Sequence, residues 1–145
     1  MQVSQHFSLD EFACHDGTPY PSEWISTRLP ALVKILEAIR AAVDAKIHIM
    51  CGFRTAEENQ RLRLKGLRGE GHMTGVAKHS QHMEGRAADI QAFGVPVKVL
   101  YSDIMRLYEE GKLPDLGGVA LYEGLGFVHV DSYRMADGHL RRWFG

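Results

Sequence analysis

The sequence predicts an α+β fold, a small antiparallel sheet with helices packed on one side, and three observations carry that expectation. Stretches that repeat apolar residues at three- and four-residue steps alternate with stretches that repeat them at two. The period-two stretches are short and bounded by glycine, as strands are. The last two flank Glu123-Gly124-Leu125, a turn that suits a hairpin and hence antiparallel pairing. At 145 residues the chain reads as a single domain spanning 1–145.

Phe7-Ser8-Leu9-Asp10-Glu11-Phe12 opens with a capping signal, Ser8 three residues before Glu11, between two phenylalanines able to staple one turn. A loop follows over His15 to Pro21. Glu23 to Ala45 reads as the principal helix in two pieces, with Leu32, Val33, Leu36, Ile39 and Val43 on one stripe and Pro30 in the first turn of the second piece. Lys46 to Arg54 switches to a period of two. On that strand Cys51 alternates with Ile47 and Ile49, which makes it a packed core thiol, and His48 falls out of phase as a solvated residue. Thr55-Ala56-Glu57-Glu58 has the form of a capping box for a helix over 56–64. Lys65 to Lys78, rich in glycine and containing His72, reads as a long loop beside a site. Arg86 to Ala92 is a strand, Val95 onward a second amphipathic helix stopped by Gly111, and 116–122 and 126–131 the two hairpin strands.

Composition narrows the function classes. A formal net charge of −1 and a near-neutral pI leave no electrostatic footprint for nucleic acid, which argues against a nuclease. No apolar run approaches a membrane span, so a soluble chain is expected. Met1 to His6 lacks the pattern of a secretory signal, and localisation stays open. Two cysteines, Cys14 and Cys51, are too few for a disulfide scaffold, and the adjacent Cys14 and His15 do not face one metal. A monomer is expected.

The chemistry lies in two motifs. Ser80-Gln81-His82-Met83-Glu84-Gly85-Arg86-Ala87-Ala88-Asp89 sets a histidine and an aspartate seven positions apart, a loop residue followed by a strand residue on the face of Ala87 and Gln91. Phe127-Val128-His129-Val130-Asp131 places Phe127, His129 and Asp131 together on one strand face, with Val128 and Val130 toward the core. Imidazole and carboxylate are zinc ligand types, and three protein ligands leave a fourth position open, as in catalytic zinc sites.

These two motifs resemble the zinc D-alanyl-D-alanine carboxypeptidase family, which includes peptidoglycan endopeptidases of bacteria and phages and shares its fold with the Hedgehog signalling domain. Phe7 to Cys14 is similar to the family's Phe-Ser-x-x-Glu-Phe-x-Cys opening, Gly52-Phe53-Arg54-Thr55 to its Gly-Tyr-Arg-Thr, and Arg142-Trp143 to its close. The resemblance implies a Hedgehog/DD-peptidase-like fold, one zinc per chain held by His82, Asp89 and His129, and hydrolysis of peptidoglycan stem peptides or cross-links. Asp131 is then the first choice for the proton-carrying carboxylate, because it shares the face of His129, and Glu123 the second, six residues before His129. The bland alternative for Asp131 is an aspartate that orients an imidazole. Arg54 is implied at the substrate site, where its fork suits a carboxylate or an oxyanion. Ser80 is expected to brace the loop by bonding to nearby backbone. His79 either reaches the reacting oxygen or orients a ligand. The cysteine at 51 departs from the small polar residue usual there. A non-catalytic zinc-containing binding module is the competing reading, and the lack of a leader and of a wall-binding segment suits a lysis enzyme released by a partner. Whether the cut bond joins two D-residues or an L- and a D-residue is open at this stage.

Overall fold

The computed structural model describes residues 1–67 and 76–145. Its centre is a five-stranded sheet in the order β1-β2-β4-β3-β5, built from Ile47–Cys51, Ala87–Ala92, Phe127–Asp131, Gly118–Tyr122 and Arg141–Phe144. Three helices accompany it: α1 at Leu29–Val43, α2 at Ala56–Leu67 and α3 at Val97–Glu109. The α+β expectation is met, with one correction to the sheet. β1, β2, β4 and β3 pair antiparallel as expected, but β5 runs parallel to β3, so the sheet is mixed. The sequence reading missed β5. Arg141-Arg142-Trp143-Phe144 is too short and too charged to show a strand period, and one neighbour, β3, holds it at the sheet edge.

Side-chain alternation gives the sheet two unlike faces. Behind it, Ile47, Ile49, Ile90, Val119, Val128 and Val130 meet the α1 stripe of Leu32, Ile35, Leu36 and Ile39 and the α3 stripe of Leu100, Ile104 and Leu107. Burial of these aliphatic side chains stabilises the fold by roughly 1.5–3 kcal/mol each. In front, Ala87 and Gly118 lie opposite Asp131, and Ala120 lies opposite His129. These small residues clear a floor on which the polar side chains converge.

The N-terminal signals work as the sequence implies. Ser8 and Glu11 form the capping box around a short 3-10 turn at Leu9–Phe12, and Phe7 and Phe12 pack with ring centroids 6.3 Å apart. The expected helix over 23–45 divides into a 3-10 turn at Ser22–Trp24 and α1, with Pro30 in its first turn. Thr55 Oγ1 accepts the Glu58 N–H at 3.1 Å, which starts α2. That helix runs to Leu67, past its expected end, and its buried side chains are Glu58 and Asn59 rather than an apolar stripe. The part of the expected loop at 68–75, His72 included, lies outside the described residues.

One strand departs from simple alternation. β1 pairs Ile49 with Ile90 of β2, but the next paired residue is Cys51, opposite Asp89, because a bulge intervenes at Met50. A bulge puts two residues opposite one and so reverses which face the following side chain takes. Cys51 therefore leaves the core face of Ile47 and Ile49 and joins Asp89 on the front. Its expected role as a packed core thiol is corrected.

Candidate active site

The front of the sheet holds a cavity of about 290 Å³, lined by Arg54, His82, Asp89, His129, Asp131 and Trp143 among others. Its polar centre is nearly dry. His82, Asp89, His129 and Asp131 are all buried.

His82 arrives on the turn between Ser80 and Gly85. Ser80 Oγ accepts the His82 N–H at 3.2 Å, so Ser80 braces this turn as expected. Gly85 closes it at φ +68°, and a Cβ there would stand 2.6 Å from the Trp24 ring and 2.8 Å from the Tyr20 hydroxyl oxygen. Tyr20 donates its hydroxyl to the Gly85 carbonyl at 2.7 Å, which ties the turn to the N-terminal segment. The Gly52 carbonyl then accepts from His82 Nδ1 at 2.8 Å. A carbonyl can only accept, so the proton is on Nδ1 and the lone pair of Nε2 faces inward. Gly52 is itself pressed on the N-terminal turn, where a Cβ would come 2.8 Å from the Phe12 backbone.

His129 is set the opposite way round. Its Nε2 lies 2.8 Å from Asp131 Oδ2, to which it donates, so Nδ1 is the bare nitrogen. His82 Nε2 and His129 Nδ1 each lie 3.1 Å from the same atom, Asp89 Oδ1. With both imidazoles neutral, three lone pairs converge with no proton between them. A tetrahedral zinc with bonds of about 2.0–2.1 Å has ligand-to-ligand edges of about 3.3 Å, close to this spacing. The donor types and these two spacings therefore fit a metal. Without one, protons do the balancing. Burial is the largest single influence on His82 and works to lower its pKa, but the charges of Asp89 and Cys51 outweigh it and raise the imidazole well above its ordinary value. Burial likewise works to raise Asp89, and the two imidazoles overcome it and hold the carboxyl below the usual range.

Cys51 completes the near neighbourhood. Its sulfur, a His82 nitrogen and an Asp89 oxygen lie within 4.8 Å of one another. Burial acts to raise this thiol, yet the adjacent His82 and Arg54 charges bring it below its usual value. Arg54 is buried, donates to Asn59 Oδ1 at 3.0 Å and to Cys51 Sγ at 3.4 Å, and keeps Nε without a partner among the described residues. Among the described residues no carboxylate pairs with it. Asn59 also donates to the carbonyls of Ala77 at 2.9 Å and Lys78 at 3.2 Å, which fixes the approach to the metal turn.

The two carboxylates named as proton carriers fare differently. Asp131 is fully buried. Oδ2 accepts from His129, and Oδ1 accepts the Tyr133 N–H at 3.0 Å and the guanidinium of Arg141. Glu123 does not line the cavity; it is in the exposed hairpin turn, 4.0 Å from Lys98 Nζ. His79 lines the rim, with Nε2 3.1 Å from Glu84 Oε1. Glu84 in turn accepts from Arg28 at 2.9 Å. Two participants escaped the sequence reading. Cys51 was hidden by the bulge, and Arg141 by the unrecognised strand that carries it. Of the expected closing pair, Trp143 lines the cavity, with its ring 5.1 Å from that of His129, while Arg142 donates to the Tyr101 hydroxyl at 3.1 Å.

A sheet backed by helices carries a buried His–Asp–His cluster in front with Arg54 beside it, a donor set of the kind that metallopeptidases use. Comparison with known proteins agrees. Residues 22–143 match the family described as peptidoglycan L,D-endopeptidase MepK, and the chain belongs to that family. It is 33% identical over 102 residues to a probable peptidoglycan L,D-endopeptidase MepK of Haemophilus influenzae, covering 70% of this chain and 45% of that relative. The chain thus spans less than half of that relative's length. The family match moves the emphasis from the D-alanyl-D-alanine carboxypeptidases, foremost in the sequence resemblance, to a group named for L,D-endopeptidase activity. Among the described residues no helix is long and apolar enough to cross a membrane.

Proposed function

We propose that the chain is a zinc-dependent endopeptidase that hydrolyses a bond between an L- and a D-residue in peptidoglycan. The observation that carries this is the convergence of His82 Nε2 and His129 Nδ1 on Asp89 Oδ1, both at 3.1 Å, in a cavity open to substrate. These three side chains would hold the zinc. Bound there, it would supply a water of pKa about 7 and a polarised scissile carbonyl.

The remaining steps fall to the chain. Arg54 binds the carboxylate or carbonyl oxygen of the peptide, because it is a buried guanidinium with an unused N–H and no carboxylate partner among the described residues. Gly52 and Asp131 keep the imidazoles in the tautomers that aim lone pairs inward. Asp131 is a positioning residue in this reading, since both of its oxygens are already engaged. His79 takes the proton of the attacking water and delivers it to the leaving amine. Glu84 at 3.1 Å holds that imidazole and stabilises the imidazolium formed between the two transfers. The family match and the relative's printed activity support the choice of an L,D bond.

Purified protein incubated with sacculi, followed by mass spectrometry of the released muropeptides, tests the reading. New fragments ending at an L,D bond are expected, and a chelator or His82→Ala should abolish them. Fragments cut only at D,D bonds would overturn the bond assignment. Intact muropeptides from several wall types, with zinc bound, would favour a non-catalytic module.

A further inference from the structure

The bulged end of β1 does more than redirect a backbone. It sets a thiol beside two of the side chains that converge on the metal position, and no step of the proposed hydrolysis uses that thiol. Resting on the metallopeptidase reading, we propose that Cys51 is a fourth protein ligand, so that the resting centre is Cys51, His82, Asp89 and His129.

Three features of the site converge on this. The first is proximity: one atom each from Cys51, His82 and Asp89 lies within a 4.8 Å group. A tetrahedral zinc with a Zn–S bond of about 2.3 Å and a Zn–N bond of about 2.05 Å has an S-to-N edge of about 3.5 Å, so this group has only to contract, and His129, which lies outside it, joins through Asp89 Oδ1 at 3.1 Å. The second is direction. Cys51 and Asp89 are register partners across β1 and β2, so their side chains leave the sheet on the same face. The third is the partner of the sulfur. Arg54 donates to Sγ at 3.4 Å and is itself fixed by Asn59 at 3.0 Å, so a thiolate would find a charge-assisted donor already in place.

The consequence is a centre unlike an open three-ligand site. Four protein donors are the composition of a closed zinc site, whereas hydrolysis needs a position for water and substrate. Cys51 must therefore yield that position, or the shell must expand to five, when a peptide enters. Arg54 holds the sulfur through one terminal nitrogen and keeps its Nε–H for the peptide, so substrate and thiolate meet on the same guanidinium. Substrate binding and release of the thiolate are thereby linked through one side chain. A sulfur donor also shifts metal preference toward zinc and other thiolate-seeking ions and away from hard divalent ions.

Cobalt substitution of the full chain separates the outcomes. One Co²⁺ per chain is expected to give visible d–d bands together with an intense near-ultraviolet thiolate-to-cobalt charge-transfer band. That band should vanish in Cys51→Ser and persist in Cys14→Ser, while Cys51→Ser still binds one Co²⁺ through the other three ligands. Competition with a chromophoric chelator should show zinc held at least about tenfold more weakly by Cys51→Ser, the low end of what even changes at outer-shell partners cost. Stoichiometric Co²⁺ with d–d bands and no charge-transfer band, or a band that survives Cys51→Ser, would overturn the Cys51 assignment and leave the metal site standing. Failure of the unaltered chain to bind either ion would overturn the metal site itself.

Discussion

Replacing Asp131 by asparagine separates positioning from proton transfer. In the native site Asp131 receives three donors: His129 Nε2–H at 2.8 Å, the Tyr133 N–H at 3.0 Å and the Arg141 guanidinium. An amide presents one oxygen and one NH2. With its oxygen toward Tyr133 and Arg141, its NH2 meets His129 Nε2, and the imidazole must move its proton to Nδ1 to accept. That removes the lone pair aimed at Asp89 and the metal. Flipped, the amide faces two donors with a third. The first arrangement costs the metal a lone pair and the second leaves buried donors unmatched, a penalty of about 1–3 kcal/mol, or roughly 5- to 150-fold in zinc affinity. The assay measures zinc affinity by chelator competition and, separately, turnover at saturating zinc. Zinc should bind about 10–100-fold more weakly, while turnover with the site filled stays within about tenfold of the unaltered chain. A general base would behave otherwise, since losing one costs about 10²–10⁴ in rate. Unchanged zinc affinity with collapsed turnover would show that Asp131 carries the proton, and the role given to His79 would fall.

Other expected outcomes follow from the same geometry. His79→Ala should lower turnover by about 10²-fold or more while leaving zinc affinity within a few-fold, read by the same two assays; full activity would remove it from the mechanism. Glu123→Gln should leave turnover unchanged, because Glu123 lies in an exposed turn beside Lys98 and outside the cavity. Gly85→Ala should destabilise the fold by about 1–3 kcal/mol and weaken metal binding, because its φ of +68° and the 2.6 Å approach to Trp24 forbid a Cβ; an unchanged melting temperature would refute this. Metal affinity should rise with pH. In the metal-free chain burial favours a neutral His82, but Asp89 and Cys51 overcome it and raise its pKa above the ordinary value, so protons compete with the metal from acid through neutral pH. Each proton displaced makes affinity about tenfold stronger per pH unit, and calorimetry in buffers of different ionisation heat should detect its release; pH-independent binding with no proton release would contradict the assignment.

Much of this site can be read without coordinates, and the part that cannot has a specific cause. Asp89, His129 and Asp131 are recognisable because each lies on a strand, where alternation decides which way it points, and His82 through the motif that it shares with Asp89. The same rule misplaces Cys51, since one extra residue at Met50 reverses the face without leaving a composition signal. Arg141 escapes because its strand depends on pairing with β3, a contact remote in sequence, rather than on a periodic pattern of its own. Glu123 lies outside the cavity for another reason. Sequence distance from His129 says nothing of direction, and the turn carries Glu123 away from the cavity. The choice between Asp131 as base and Asp131 as orienting group depends on which atoms surround its two oxygens, and only three-dimensional packing determines that.

The two tryptophans have a practical consequence. Trp24 packs against Gly85 at the foot of the turn that delivers His82, and the Trp143 ring lies 5.1 Å from that of His129. Both indoles of the chain thus lie near the proposed metal position, Trp24 from the Ser22–Trp24 turn and Trp143 from β5. The protein carries its own optical reporter there, one that needs no label. Cobalt or copper entering the site should quench the native emission in proportion to occupancy, whereas zinc should shift it without such quenching. Metal loading, release and exchange can then be followed in real time on unmodified protein.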